Sequence, residues 1–151
     1  MNQADYIKNH FDLMIQFDEA LHWLKRSYGI CKEIGVKEEY EEAEFDAFET
    51  LTGRFARISD MIIQKIFRSI DKIEFEQDGT LLDALNRAHK RELINSIDEI
   101  REIRELRNDI VHEYAPVELK DLFEDALKYT ELLFVIADRV KKYSEKYKKD
   151  N

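Results

Sequence analysis

The eight residues Arg107-Asn108-Asp109-Ile110-Val111-His112-Glu113-Tyr114 place a permanent cation, an amide, a titratable imidazole and a phenol on one short stretch. A guanidinium holds phosphate oxygens in a planar fork. An imidazole is the side chain best matched to moving protons near neutral pH. A helix end that gathers both suits the cutting or modification of a phosphodiester. Elsewhere, Glu19-Ala20-Leu21-His22 has the Glu-x-x-His spacing of carboxylate di-metal bundles. Such sites need a second copy and further carboxylates, and His10, His89 and His112 have no Glu three residues before them. No metal is expected, and His10, His22 and His89 read as surface or interface residues. No glycine-rich phosphate loop, cysteine cluster or serine-nucleophile motif is present, so no cofactor is expected.

Spacing constrains the chemistry. On an ideal helix Arg107 and Tyr114 lie about 20° apart, Asn108 and His112 share neighbouring faces, and Arg107 and His112 lie about 140° apart. One unbroken helix does not aim Arg107 and His112 at one phosphate. Either the helix breaks before His112, which Pro116 makes reasonable, or two subunits combine residues across a cleft. Metal-free RNA cleavage needs a proton removed from the 2′-hydroxyl and one given to the departing 5′-oxygen, with negative charge stabilised at phosphorus. One histidine does one of these tasks at a time, and a symmetric dimer supplies two. On this reading His112 transfers protons, Arg107 stabilises the transition state, and Asn108 positions the phosphate or the imidazole. Structural roles stay open: His112 complementing a helix C-terminus, Arg107 pairing with Glu102, Glu105 or Asp109, and Tyr114 capping a core.

The elements that must position these residues read as helices. The chain has 151 residues, 44% hydrophobic and 38% charged, with four glycines and one proline. That mix favours long helices with exposed faces in a single domain over 1–151. A first helix is expected from about Asp5 to Lys32, with Ile7, Phe11, Met14, Leu21, Leu24, Tyr28 and Cys31 on one face and Gly35 helping to end it. A second spans about Glu41 to Lys72 through Phe48, Leu51, Phe55, Ile58, Ile62, Ile66 and Ile70. Thr80 with Asp83 marks the cap of a short third helix, Leu81 to Lys90. A fourth starts near Leu93 or Ser96 and reaches about His112. A fifth opens at Pro116 and runs to about Lys146. The expected fold is all-α: an antiparallel up-and-down bundle of four long helices plus one short one.

The net charge of −9 argues against a protein that coats nucleic acid broadly, so any RNA contact must be local. Charge is segregated. Glu33, Glu38, Glu39, Glu41, Glu42, Glu44, Asp46 and Glu49 form an acidic block, followed by Arg54, Arg57, Lys65, Arg68 and Lys72. The plain reading is two solvated helix faces; the sharper one is a partner-binding acidic wall beside a basic wall for RNA. Arg54, Arg57, Arg68 and Arg104 are the RNA-binding candidates. The lone Cys31 fits a reducing compartment and reads as a small packed residue. No apolar run approaches a membrane span, and Met1-Asn2-Gln3-Ala4-Asp5 lacks the character of a secretory leader. A cytoplasmic protein with no membrane contact is expected.

Arg-x4-His-x-Tyr, with Asn108 directly after Arg107, resembles the signature of the HEPN superfamily, and more narrowly the HepT-like toxins encoded beside a minimal nucleotidyltransferase (MNT) antitoxin. Arg54-Phe55-Ala56-Arg57 with Asp60, and Arg101 to Leu106, are similar to less specific stretches of the same proteins. The resemblance covers nearly the whole chain. It implies a homodimeric, metal-independent endoribonuclease acting on RNA, with tRNA as a candidate substrate. The motifs would meet at the dimer cleft. It also implies Tyr114 as the residue that an MNT partner modifies with AMP, adding charge and bulk beside Arg107 and His112. An alternative is a non-catalytic substrate- or nucleotide-binding subunit of a nucleotidyltransferase. A third reading is a structural helical adaptor.

Overall fold

The computed structural model of the chain describes residues 1–76, 79–112 and 119–148. Among these, all regular secondary structure is helical, so the fold is all-α. Helix α1 spans Gln3–Ile34. Asn2 caps its first turn, exchanging hydrogen bonds with Asp5 in a capping box. Gly35, at φ +79°, ends it with its N–H on the Cys31 carbonyl at 2.9 Å. Its buried positions Ile7, His10, Met14, Phe17, Leu21, Leu24 and Cys31 recur almost strictly at steps of three and four. That spacing makes a continuous seam against neighbouring helices.

The second rod is one run in three parts: α2 (Glu42–Asp60), a π-helical segment (Met61–Ile66) and α3 (Phe67–Ile73). The expected stripe from Phe48 to Ile70 is buried throughout. Its spacing explains the π segment. After Ile58 the apolar steps lengthen to four residues, at Ile62, Ile66 and Ile70. An α-helix rotates such a series steadily off the core, whereas the wider i→i+5 turn holds it in place. Sequence reading treats this rod as one helix and misses the change of pitch.

Helix α4 (Leu81–Lys90) has the expected Thr80–Asp83 capping box. It ends in a Schellman motif: Glu92 takes φ +63°, Leu93 N–H reaches the Ala88 carbonyl, and Glu92 N–H reaches that of His89. Helix α5 covers Ile97–His112 and α6 covers Leu119–Lys148. The expected start of the last helix at Pro116 lies outside the described residues.

Contacts fix the directions. Gln3 bonds Ile73, His10 bonds Ser69, and Cys31 bonds Ala47, so α1 runs antiparallel to the second rod. His10 to Ser144, Asp18 to Lys141 and Tyr28 to Glu131 set α1 antiparallel to α6. One core of Phe17, Leu24, Phe48, Phe55, Ile62, Ile103, Phe123 and Val140 joins the four long rods. At one end a buried ionic cluster clamps α3, α4 and α6. Asp71, 1% exposed, takes Arg87 at 3.0 Å and Arg91 at 2.5 Å. Glu74 accepts from Arg91, Tyr143 and Tyr147. No described helix is long and apolar enough to cross a membrane.

Candidate functional site

Helix α5 continues unbroken through His112. The helix break that would have turned His112 toward Arg107 is therefore absent from the described residues. An ideal helix sets the two about 140° apart and about 7.5 Å along the axis. Val111 and Asn108 lie between them on the exposed arc. Tyr114 lies outside the described residues.

Arg107 does not pair along its own helix with Glu102, Glu105 or Asp109. Its partner is Asp60, the last residue of α2 before the π segment. Both bonds of a planar fork form, Nε to Oδ1 and Nη2 to Oδ2, each at 2.9 Å. Two of the five guanidinium N–H groups are thereby used. Nη1 points toward Asn108 Oδ1 at 3.4 Å. The Arg107 side chain remains 32% exposed, so its remaining donors face a groove of ≈ 380 Å³. Gln64 and Lys65 line that groove from the π segment, and Arg104, Arg107 and Asn108 line it from α5. The π turn matters here, because it sets the angle at which Gln64 and Lys65 leave the rod. The groove offers three cations against one carboxylate, a local positive field on an acidic chain.

The other RNA-binding candidates are spread. Arg68 lines a second groove of ≈ 340 Å³ with Lys72, Asn9 and Tyr6. Gln64 and Lys65 border both this groove and the first, so a basic track runs from Lys72 and Arg68 to Arg104 and Arg107. Arg54 is engaged with Trp23 and Ser27 of α1, and Arg57 is exposed beside it. The acidic block sits toward the other end of the rod. Glu44 and Lys65 are 21 residues apart along one rod, about 30 Å at helical rise.

Two readings of single residues change or gain detail. His10 is buried, not at the surface. Its Nδ1 meets Ser69 Oγ at 2.6 Å and its Nε2 meets Ser144 Oγ at 2.8 Å. Burial pushes its imidazole down to about 4. It occupies a seam position of α1, three residues after Ile7 and four before Met14, which is the sequence signal for its burial. Cys31 is buried, as its packing role requires; burial pushes its thiol up to about 11, and it points at the Ala47 carbonyl. Glu19 and His22 are exposed, and no described group of three or more His, Cys, Asp or Glu is arranged to hold a metal.

No protein-family model matches this chain, and no curated protein or solved structure gives a significant match.

Proposed function

We propose that this chain is a HepT-like toxin with a HEPN-type up-and-down bundle: a homodimeric, metal-independent endoribonuclease acting on RNA, with tRNA as the candidate class. In this reading an MNT-type nucleotidyltransferase antitoxin holds it in check. One observation carries the reading. Asp60 fixes Arg107 through two bonds in the lining of a basic groove, with Asn108 beside it. A guanidinium pre-oriented in this way loses little freedom when it meets a crowded, doubly charged phosphorus centre.

The chemistry follows from the side chains. His112 takes the proton of the 2′-hydroxyl, and the 2′-oxygen forms a bond to phosphorus. The bond from phosphorus to the 5′-oxygen breaks, and the second subunit's imidazole gives that oxygen its proton. Arg107, with Lys65 and Arg104, balances the charge on the non-bridging oxygens. Dependence on the 2′-hydroxyl restricts the reaction to RNA. AMP on Tyr114 would add negative charge and bulk to the motif and repel RNA. Intact-mass analysis after co-expression with an active MNT partner tests that step, and an unmodified Tyr114 would remove it.

The main test is induction of the chain alone in bacteria, wild type beside His112→Ala, reading growth and tRNA integrity together. The expected result is arrest with cleaved RNA, both lost in the variant. Normal growth and intact RNA with soluble protein would refute the ribonuclease. A specific observation favours the second reading, a nucleotide-binding subunit: His112 is not among the residues that line the Arg107 groove. Under that reading His112→Ala changes ligand affinity alone.

A further inference from the structure

Trp23 is the chain's only tryptophan, and 49% of its surface is open on the outer side of α1. Rings this large are mostly buried in folded proteins. Trp23 is nonetheless held in place. Arg54 crosses from α2, donates to the Trp23 carbonyl at 3.0 Å and to Ser27 Oγ at 2.7 Å, and sets its guanidinium 5.4 Å from the ring centroid. The His22 ring meets Trp23 edge-on at 5.1 Å. Ala20 and Arg57 complete a groove of ≈ 240 Å³ around the ring.

A half-exposed indole with one guanidinium 5.4 Å from its centroid and a second arginine lining the same groove has a definite chemistry. Flat rings stack on it whatever their edge pattern, and the arginines take the phosphates on either side. We infer that Trp23, Arg54 and Arg57 form a base-stacking subsite for single-stranded RNA, separate from the groove at Arg107. An uncharged apolar partner would cover Trp23 but leave the exposed Arg57 without a counter-charge. Position supports a shared ligand. Arg57 stands midway round α2 between Arg54 and Asp60, and those two are about 9 Å apart along the axis. The Trp23 groove and the Asp60–Arg107 pair thus share helix α2. The inference deepens the RNA reading above and rests on it for the ligand's identity.

The sole tryptophan is its own reporter. Titration of the wild-type chain with a short single-stranded oligoadenylate should quench Trp23 emission, while inorganic polyphosphate should not. Arg57→Ala, a change at an exposed residue, should lose most of the quenching with an unaltered melting curve. Anisotropy of a labelled RNA should show Trp23→Ala binding about 10-fold more weakly and Trp23→Phe binding nearly as well as wild type. Unchanged emission at saturating RNA, or equal affinity in all variants, overturns the subsite. A Trp23→Ala chain that falls from dimer to monomer while keeping its RNA affinity assigns the surface to a second copy and also overturns it. RNA cleavage without quenching removes the subsite and leaves the ribonuclease standing. Quenching by RNA in a chain that cuts nothing does the reverse.

Discussion

Acidification from about pH 7 to about pH 5 should cost this protein roughly 2 kcal/mol through His10 alone. The ring is fully buried where α1, α3 and α6 meet, and burial holds its pKa near 4 against an ordinary 6.5. The unfolded chain takes up a proton as the pH falls through 6.5, and the folded chain refuses it until about 4. The contribution is complete above 6.5, shrinks through the window at about 1.4 kcal/mol per pH unit, and levels off once both states carry the proton. Opposing physics has to be weighed. Ser69 Oγ also donates to the Ile66 carbonyl and Ser144 Oγ to that of Val140. With both hydroxyl hydrogens so used, both ring nitrogens would have to donate, which only the cation does. Two neutral hydroxyls do not offset the removal of a full charge from water, so one serine turns its hydrogen to a neutral ring. The control is His10→Gln, which bonds both serines and does not titrate. In thermal melts followed by far-UV circular dichroism, wild type should lose about 4–8 °C more than the variant over this pH interval. Parallel losses would refute the argument and show that the serines solvate an imidazolium.

Three further outcomes follow from the same contacts. Asp71→Ala leaves Arg87 and Arg91 facing each other without their shared carboxylate and should cost about 3–5 kcal/mol, read from the urea midpoint. Cys31, with its thiol pushed up to about 11 by burial, should resist a chromogenic disulfide reagent at neutral pH and react at once in denaturant; fast native reaction would contradict its packing. Wild-type and His112→Ala chains co-expressed in equal amounts should give about a quarter of wild-type cleavage, because only the quarter of random dimers with two wild-type chains supplies both imidazoles. A loss to only about a half would show that each cleavage needs one histidine and would refute the two-imidazole step.

The helices were largely legible because their apolar periods are strong. Thr80–Asp83 marked the start of α4 to the residue, and Gly35 marked the end of α1. The π segment was written in the same list of residues, Ile58, Ile62, Ile66 and Ile70, but only as a lengthening of the step, which a fixed 3.6-residue period absorbs without notice. His10 reads as a surface residue for a related reason, since a polar residue on an apolar seam is judged by its type before its phase, yet it is buried. Asp60 could not be found locally at all. It lies 47 residues from Arg107, and three acids on α5 offered nearer partners. The choice was made by packing, which turns Arg107 toward α2 and leaves Glu102 to accept from Tyr129 of α6.

Asp60 also bears on assembly. By anchoring Arg107 at the edge of the α2–α5 seam, it prevents the guanidinium from swinging round the helix toward His112. Under the ribonuclease reading, a phosphate held at Arg107 must then draw at least one of its two proton carriers from another chain. A twofold axis passing near Asn108 and Val111 would bring each His112 opposite the other Arg107, because an isologous contact pairs residue i with j and j with i. Val111 suits that position: it is 49% exposed and lies on the arc between the two polar groups. An apolar side chain there gives the axis something to bury, while the amide of Asn108 can reach either ligand or partner. Under the ribonuclease reading, the unbroken helix and the Asp60 fork thus lead to the same requirement, that cleavage at Arg107 would depend on a second copy of the chain.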